Sequence, residues 1–468
     1  MSLFSVGRCG LLSTLHQFLS AAALVACSAI AAAQSLPELQ QRALAADPGV
    51  RSAGAQQRAA DERLFQARAA FGPTANLTVN HTDTRYREEP ALELRPFRSD
   101  QYVFQLTQPI WRGQSFPALQ AAQAQADQAS AALNQARAEA LQRFVEACFE
   151  IFKSRDVRNH AQALGEATTE QLAMARRTFQ VGRAAITDVR EAEARLDSAQ
   201  AQALAAEAEL DLRQQVLAEL VGGPVGSASA LLARGLAADT LPSVPAPSIL
   251  EWIAAAQVNS PQLRQAELAL IAAEAEVRKA SIAHAPSADL SLNYTKTNDT
   301  GTVTSIFPRK GESAAVGVNL TIPLFASGAT QSKVREAMAL RDKAESDVAL
   351  ARRTLSLGLR QAFVATLSAS AQAKALGAAE RSQAVSLRAN QRGYEIGLKV
   401  GAEVLDAQGK LFEARRDLSR ARYDAWAAYF KLKALAGDLN VGDVDALESL
   451  LVSQAPVEMG RARKAVAP

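Results

Sequence analysis

The sequence predicts a mainly α-helical chain with a small β part. Long antiparallel coiled-coil hairpins join four short amphipathic strands, and the whole is internally duplicated. Three observations predict this. Matching segments recur about 213 to 215 residues apart along a chain of 468. Long stretches dominated by Ala, Gln, Leu, Arg and Glu, with aromatics at only 5%, favour helix and coiled coil. Between them, short runs alternate apolar and polar residues with a period of two, the pattern of a strand with one wet face.

The elements follow in order. Arg8, the apolar run Leu11 to Ile30 and Ala31-Ala32-Ala33 make residues 1–33 a secretory signal peptide. Leu24 to Cys27 (LVAC) also fits a lipoprotein processing site, so lipidation of Cys27 stays open. Cleavage leaves Cys148 as the lone thiol, with no disulfide and no Cys/His zinc cluster expected. The mature chain has no apolar run long enough for a spanning helix, so any membrane crossing must use strands. With 51 basic and 48 acidic residues interspersed along helical stretches, nucleic acid is not an expected partner.

The first repeat is expected over 34–222 and the second over 248–437. A Pro/Gly/Ser-rich linker lies at 223–247, and 438–468 is read as a short equatorial piece with an irregular tail. Ser35 (SLPELQQRALAADP) matches Ser248 (SILEWIAAAQVNSP), Pro109 (QLTQPIW) matches Pro323 (NLTIPLF), and Gly182 matches Gly397. Each repeat reads as short helix, two strands, long helix, glycine turn and returning helix.

Strand alternation is legible in Leu290, Leu292 and Tyr294, in Val316, Val318, Leu320 and Ile322, and in Leu77, Val79, Tyr102, Phe104 and Leu106. Polar loops are expected at 83–98 and 296–312. The long helices, Gly113 to Gln180 and Ser327 to Glu395, span 68 and 69 residues, roughly 100 Å at 1.5 Å per residue. Single short helices are expected at Ser35 to Phe71 and Ser248 to His284, with returning helices at Ile186 to Val221 and Gly401 to Ala436. Leu196, Ala203 and Leu210, seven apart, mark a heptad seam.

The glycine turns carry the candidate site. In GYEIGLKVGAEVLDAQ, Gly393, Gly397 and Gly401 precede Glu403 and Asp406. Carboxylates three apart share a helix face, and rings of acids select cations. The first repeat has Asp188 and Glu191 at the same spacing. First-turn acids also complement the helix macrodipole, Thr187 reads as an N-cap, and left-handed caps at Gly182 and Gly397 would be ordinary helix ends. His81, His160 and His284 are scattered, and no nucleophile constellation or phosphate loop accompanies them, so neither enzyme nor cofactor is expected.

Four strands cannot close a barrel, and an open edge in lipid is costly. Three copies would supply twelve strands and twelve helices in cross-section. In this order and spacing, VGRAAITDV, GYEIGLKVGAEVLDA, NLTIPLF and ARYDAWAAYFKLKALAGDL resemble the TolC family of outer-membrane efflux and secretion channels, from about Ser35 to Leu451. The resemblance implies a homotrimer of the outer membrane reaching into the periplasm. It implies a periplasmic adaptor and an inner-membrane ABC or RND-type pump as partners. It also implies a selectivity ring at Glu403 and Asp406, gate ties at Tyr394, Lys399 and Asp188, and an adaptor-docking tip around Gly182, Gly397 and Gly401. Lys399 replaces the family's usual arginine and Glu403 its usual aspartate, which implies a looser closure. The near-immediate start of the first helix leans toward type I secretion. A soluble periplasmic coiled-coil adaptor or scaffold is the alternative reading.

Overall fold

The computed structural model describes residues 36–87, 94–182, 185–223, 234–236, 240–243, 248–301, 305 and 307–453. The expected signal peptide, most of the expected linker and the end of the tail lie outside the described residues. In chain order the elements are α1 (Leu36–Ala46), α2 (Pro48–Ala69), β1 (Thr74–Arg87), β2 (Leu94–Arg112), α3 (Ser115–Gln180), α4 (Ile186–Leu220) and β3 (Arg234–Leu236). There follow α5 (Ile249–Asn259), α6 (Pro261–Ser281), β4 (Ser287–Asp299), β5 (Arg309–Thr321), α7 (Ala329–Glu395), α8 (Gly401–Ala436), α9 (Val441–Leu450) and β6 (Leu451–Ser453). The chain divides into two units that cut across the sequence repeats. One holds residues 1–51, 136–260 and 355–468, and the other 52–135 and 261–354.

Each expected short helix is instead two. The first breaks at Asp47-Pro48 and the second at Ser260-Pro261, at corresponding places in the repeats. Proline has no N–H to give an ongoing helix and pushes the preceding residue out of the helical region, yet suits the first position of a new helix. Ser260 sits at ψ 117°, an extended conformation. Asp47 caps α2 by accepting from Val50 N at 2.9 Å, and it pairs with Arg143 at 2.8 Å.

In the second unit, β1, β2, β4 and β5 form one antiparallel sheet in that order. The registers place Leu77 opposite Phe104, Phe104 opposite Tyr294 and Tyr294 opposite Ala314. Leu106 faces Leu292, and Leu292 faces Val316. Opposed residues point to the same side, so the alternation in all four strands collects onto one apolar face. That face is bare: Leu77, Val79, Val316, Val318 and Leu320 are each more than half exposed. The other face carries Asn76, Thr78, Gln105, Asn293 and Asn319.

The strands run further than the sequence pattern suggests, into both expected loops. β1 reaches Arg87 and β5 begins at Arg309. Beyond the apolar stretch the ladder continues on charge, through Asp83–Arg98 at 2.8 Å and Lys296–Glu312 at 2.6 Å. Alternation reports burial in an apolar medium, so it ends where the hydrogen-bond ladder does not.

The helices of the first unit pack around a large core. Phe144, Val145, Cys148, Phe149 and Phe152 of α3 meet Leu210 and Leu217 of α4, Tyr423, Trp426 and Phe430 of α8, and Leu36 and Leu39 of α1. Burial pushes the Cys148 thiol up to about 12, so it stays a neutral apolar filler. On α4 the heptad holds: Val189, Leu196, Ala203, Leu210 and Leu217 form one line, and Ala192, Ala199 and Ala206 the other. Small alanines on the second line let the helices approach closely.

The expected linker and tail also contribute structure. β3 pairs with β6, and α9 adds Val444 and Leu447 to the same core. Arg155, buried in this core, donates to the Arg234 carbonyl of β3 and, from Nε at 2.8 Å, to Asp156. Tyr423 donates to Asp156 at 3.2 Å, and burial raises its hydroxyl pKa.

Candidate functional site

The two long helices end alike. Gly182 follows α3 at φ +74° and Gly397 follows α7 at φ +77°. At the second turn, Leu398 N donates to Gly393 O at 2.8 Å and Gly397 N to Tyr394 O at 3.1 Å. These are the paired bonds by which a left-handed residue ends a helix. Gly393 is needed for a different reason: a Cβ there would lie 2.7 Å from Lys399 Cγ. Gly401 opens α8 with Val400 as its N-cap, and the Tyr394 ring lies against it.

At the first turn the cap is Ala185, not Thr187, which falls inside α4. Asp188 supplies what alanine lacks, its carboxylate accepting from Ala185 N at 3.3 Å. A carboxylate three residues into a helix can reach back to the capping N–H, so the local chain needs no hydroxyl there. Among the described residues, no hydrogen bond or ion pair joins Asp188 to Tyr394 or Lys399 within the single chain.

The turns are joined through a small apolar cluster. Leu172 of α3, Val189 and Ala192 of α4 and Leu405 of α8 pack together, with Leu196 against them. Leu405 lies between Glu403 and Asp406 in sequence, so burying it fixes where both acids emerge. They emerge into a polar recess of about 520 Å³, shared with Glu191 and Arg195 of α4 and Gln383, Ser386 and Asn390 of α7. The structure therefore brings Glu191 of the first turn into one recess with Glu403 and Asp406, while Asp188 does not line it.

Sequence reasoning did not pair these acids with the cations beside them. Lys399 pairs with Glu403, Lys410 with Asp406 at 2.7 Å, and Arg195 with Glu191 at 3.3 Å, each four residues apart. The Lys410 ammonium, with Arg195 further off, holds the Asp406 carboxyl below its ordinary value. The signal was available, since a base four residues from an acid lies beside it on a helix. Each acid thus has a basic neighbour, and the recess is a mosaic of both signs.

A sheet apolar on one face and polar on the other, with unpaired outer edges, in one chain with helical hairpins and charged turns, defines a subunit of an outer-membrane channel. The sequence model for outer membrane efflux proteins matches residues 39–223 and again 252–438, and the chain belongs to that family. It is an exit duct for efflux or type I secretion, seated in the outer membrane and extending into the periplasm.

It is 29% identical to the outer membrane protein TolC of Vibrio cholerae, over 90% of this chain and 95% of that protein. It is 27% identical to the alkaline protease secretion protein AprF of Pseudomonas aeruginosa, over 76% of this chain and 73% of that one. The CmeC outer membrane channel of Campylobacter jejuni shares the fold at TM-score 0.73 and 18% identity, covering 88% of this chain and 89% of its own.

Proposed function

We propose that three copies of this chain close a twelve-strand barrel, and that the glycine turns form the periplasmic mouth of the resulting duct. The observation that carries this is the pair of open edges on β1 and β5. Each is more than a dozen residues long, and both border a face of exposed Leu, Val and aromatic side chains. In hydrocarbon every unpaired backbone group costs several kcal/mol, and a β1 edge meeting the β5 edge of a neighbour removes that cost. A periplasmic adaptor and an inner-membrane pump complete the path, docking at the surface around Gly182, Gly397 and Gly401. Relatives named for both TolC and protease secretion support a duct of either branch, and we favour secretion of a protein cargo.

The test is direct. Outer-membrane fractions run without heating should give a band near three times the monomer mass that collapses to monomer on boiling. Monomer alone in unheated samples, or protein in the soluble periplasmic fraction, would defeat the reading. Deleting the protein should abolish secretion of a substrate protein, and unchanged secretion with heightened drug sensitivity would assign the efflux branch instead.

At the mouth, Glu403 and Asp406 act as the selectivity ring, with Lys399 and Lys410 trimming its field. Tyr394, Lys399 and Asp188 serve as ties made between neighbouring chains. In planar bilayers under a salt gradient, Lys410→Gln is expected to shift the reversal potential toward cations. The double change Glu403→Gln, Asp406→Asn should shift it away from them. Both should leave the trimer intact, because exposed ion pairs four residues apart contribute little to stability. An unmoved potential in both variants would remove the ring from these positions.

A further inference from the structure

We propose that the junction between the sheet and the helices of the second unit holds a binding site for an anionic phospholipid of the inner leaflet. The site is a cavity of about 470 Å³ walled by Trp111, Phe116, Pro117, Ile282 and Ala285, with Arg278 at its edge. It lies where β2 and β4 pass into helices, the periplasmic end of the sheet, because the helices extend into the periplasm.

The cavity adjoins the apolar face of the sheet through Trp111. A register shift between Pro109 and Trp111 sets Trp111 opposite Ala288, which is itself opposite Leu320. Without that bulge Ile110 would take the place, and the indole would turn to the polar face. The bulge thus aims an aromatic ring at the level where a bilayer passes from acyl chain to headgroup. Phe116 continues the wall, 5.6 Å from Trp111 and 5.2 Å from Phe71, ring centre to ring centre. A site for acyl chain and glycerol needs such a wall, since an amphipathic indole is at home there.

Charge decides the headgroup. Arg278, in the last turn of α6, donates to the amide oxygen of Gln120 at 3.1 Å, a neutral partner that leaves its charge uncancelled. The neighbouring Lys279 is spent on Glu276 at 3.1 Å, and Arg112, on the other face, on Asp289 at 2.9 Å. Of these three, Arg278 presents a fork of donors beside an apolar slot, the arrangement that suits a phosphate diester with no balancing amine. Phosphatidylglycerol has that chemistry, and phosphatidylcholine does not.

Trp111 also supplies the reporter. The chain has three tryptophans; Trp252 and Trp426 are buried, while Trp111 is 52% exposed. Purified full-length protein is reconstituted in phosphatidylcholine vesicles containing either phosphatidylglycerol or phosphatidylcholine with brominated chains, and tryptophan quenching is followed. The native protein should favour phosphatidylglycerol by about five-fold, the worth of one basic residue at a membrane surface. Arg278→Gln should bring the ratio to about one, and Arg278→Lys should keep most of it. Trp111→Phe should remove the quenchable emission. Equal quenching by the two lipids in native protein, a preference that survives Arg278→Gln, or quenching that survives Trp111→Phe would each overturn the site.

Discussion

Gly437→Ala is expected to destabilise the first unit by about 3 kcal/mol, whereas the same change at Gly182 or Gly397 should cost about 1 kcal/mol. All three glycines have nearly the same backbone, φ +73°, +74° and +77°. A left-handed alanine pays a similar strain at each. They differ in what surrounds them: a Cβ at Gly182 or Gly397 meets nothing within 4 Å, while at Gly437 it would overlap the Asn259 carbonyl, whose carbon lies 2.7 Å away. Backbone cannot step aside as a side chain can, so α5 must shift from the end of α8. The first repeat has the same contact, with Gly222 against Ala46, where a Cβ would come within 2.7 Å of another Cβ. Thermal melting of the three purified variants by circular dichroism checks this. Equal losses at Gly437 and Gly397 would mean the contact with Asn259 carries no cost.

The second large effect is expected at Arg155. Arg155→Met should cost about 3–5 kcal/mol, the usual penalty for removing one partner of a buried pair. It deprives the Asp156 carboxylate of its cation, takes the donor from the Arg234 carbonyl and removes one partner of the Tyr423 hydroxyl. β3 should loosen with it, because this guanidinium ties the β3 backbone to α3. Replacing the cluster together, Arg155→Met with Asp156→Leu and Tyr423→Phe, should recover most of the loss, since no buried charge then lacks a partner. Unfolding half-life at a fixed elevated temperature, together with amide exchange at 234–236, separates the cases. A triple variant no more stable than Arg155→Met would show that the cluster's shape matters more than its charge.

Much of the architecture is legible along the chain, for reasons visible in particular residues. The long helices end within two residues of where alanine-rich periodicity ends, because Gly182 and Gly397 stop them locally. The breaks at Pro48 and Pro261 are equally local; the missing N–H is in plain view, masked only by the apolar pattern running through it. The outer ends of the strands are not legible, since Asp83 with Arg98 and Lys296 with Glu312 become partners only once the register is set. At the glycine turns, the acids and the lysines four residues away are readable from spacing. The arrival of Glu191 and Arg195 in the same recess is not.

By itself the sequence determined the duplication, the lengths of the long and returning helices, the two turns and the apolar face of the sheet. These depend on backbone chemistry and short-range periodicity, which a chain carries wherever it folds. Only the tertiary structure decided that β3 and β6 pair across more than two hundred residues and that Arg155 is buried against β3. It alone decided that Leu405 draws the two turns together and that a bulge sets Trp111 on the apolar face of the sheet. Those outcomes depend on which surfaces meet, and packing settles that by excluding water from side chains far apart in the chain.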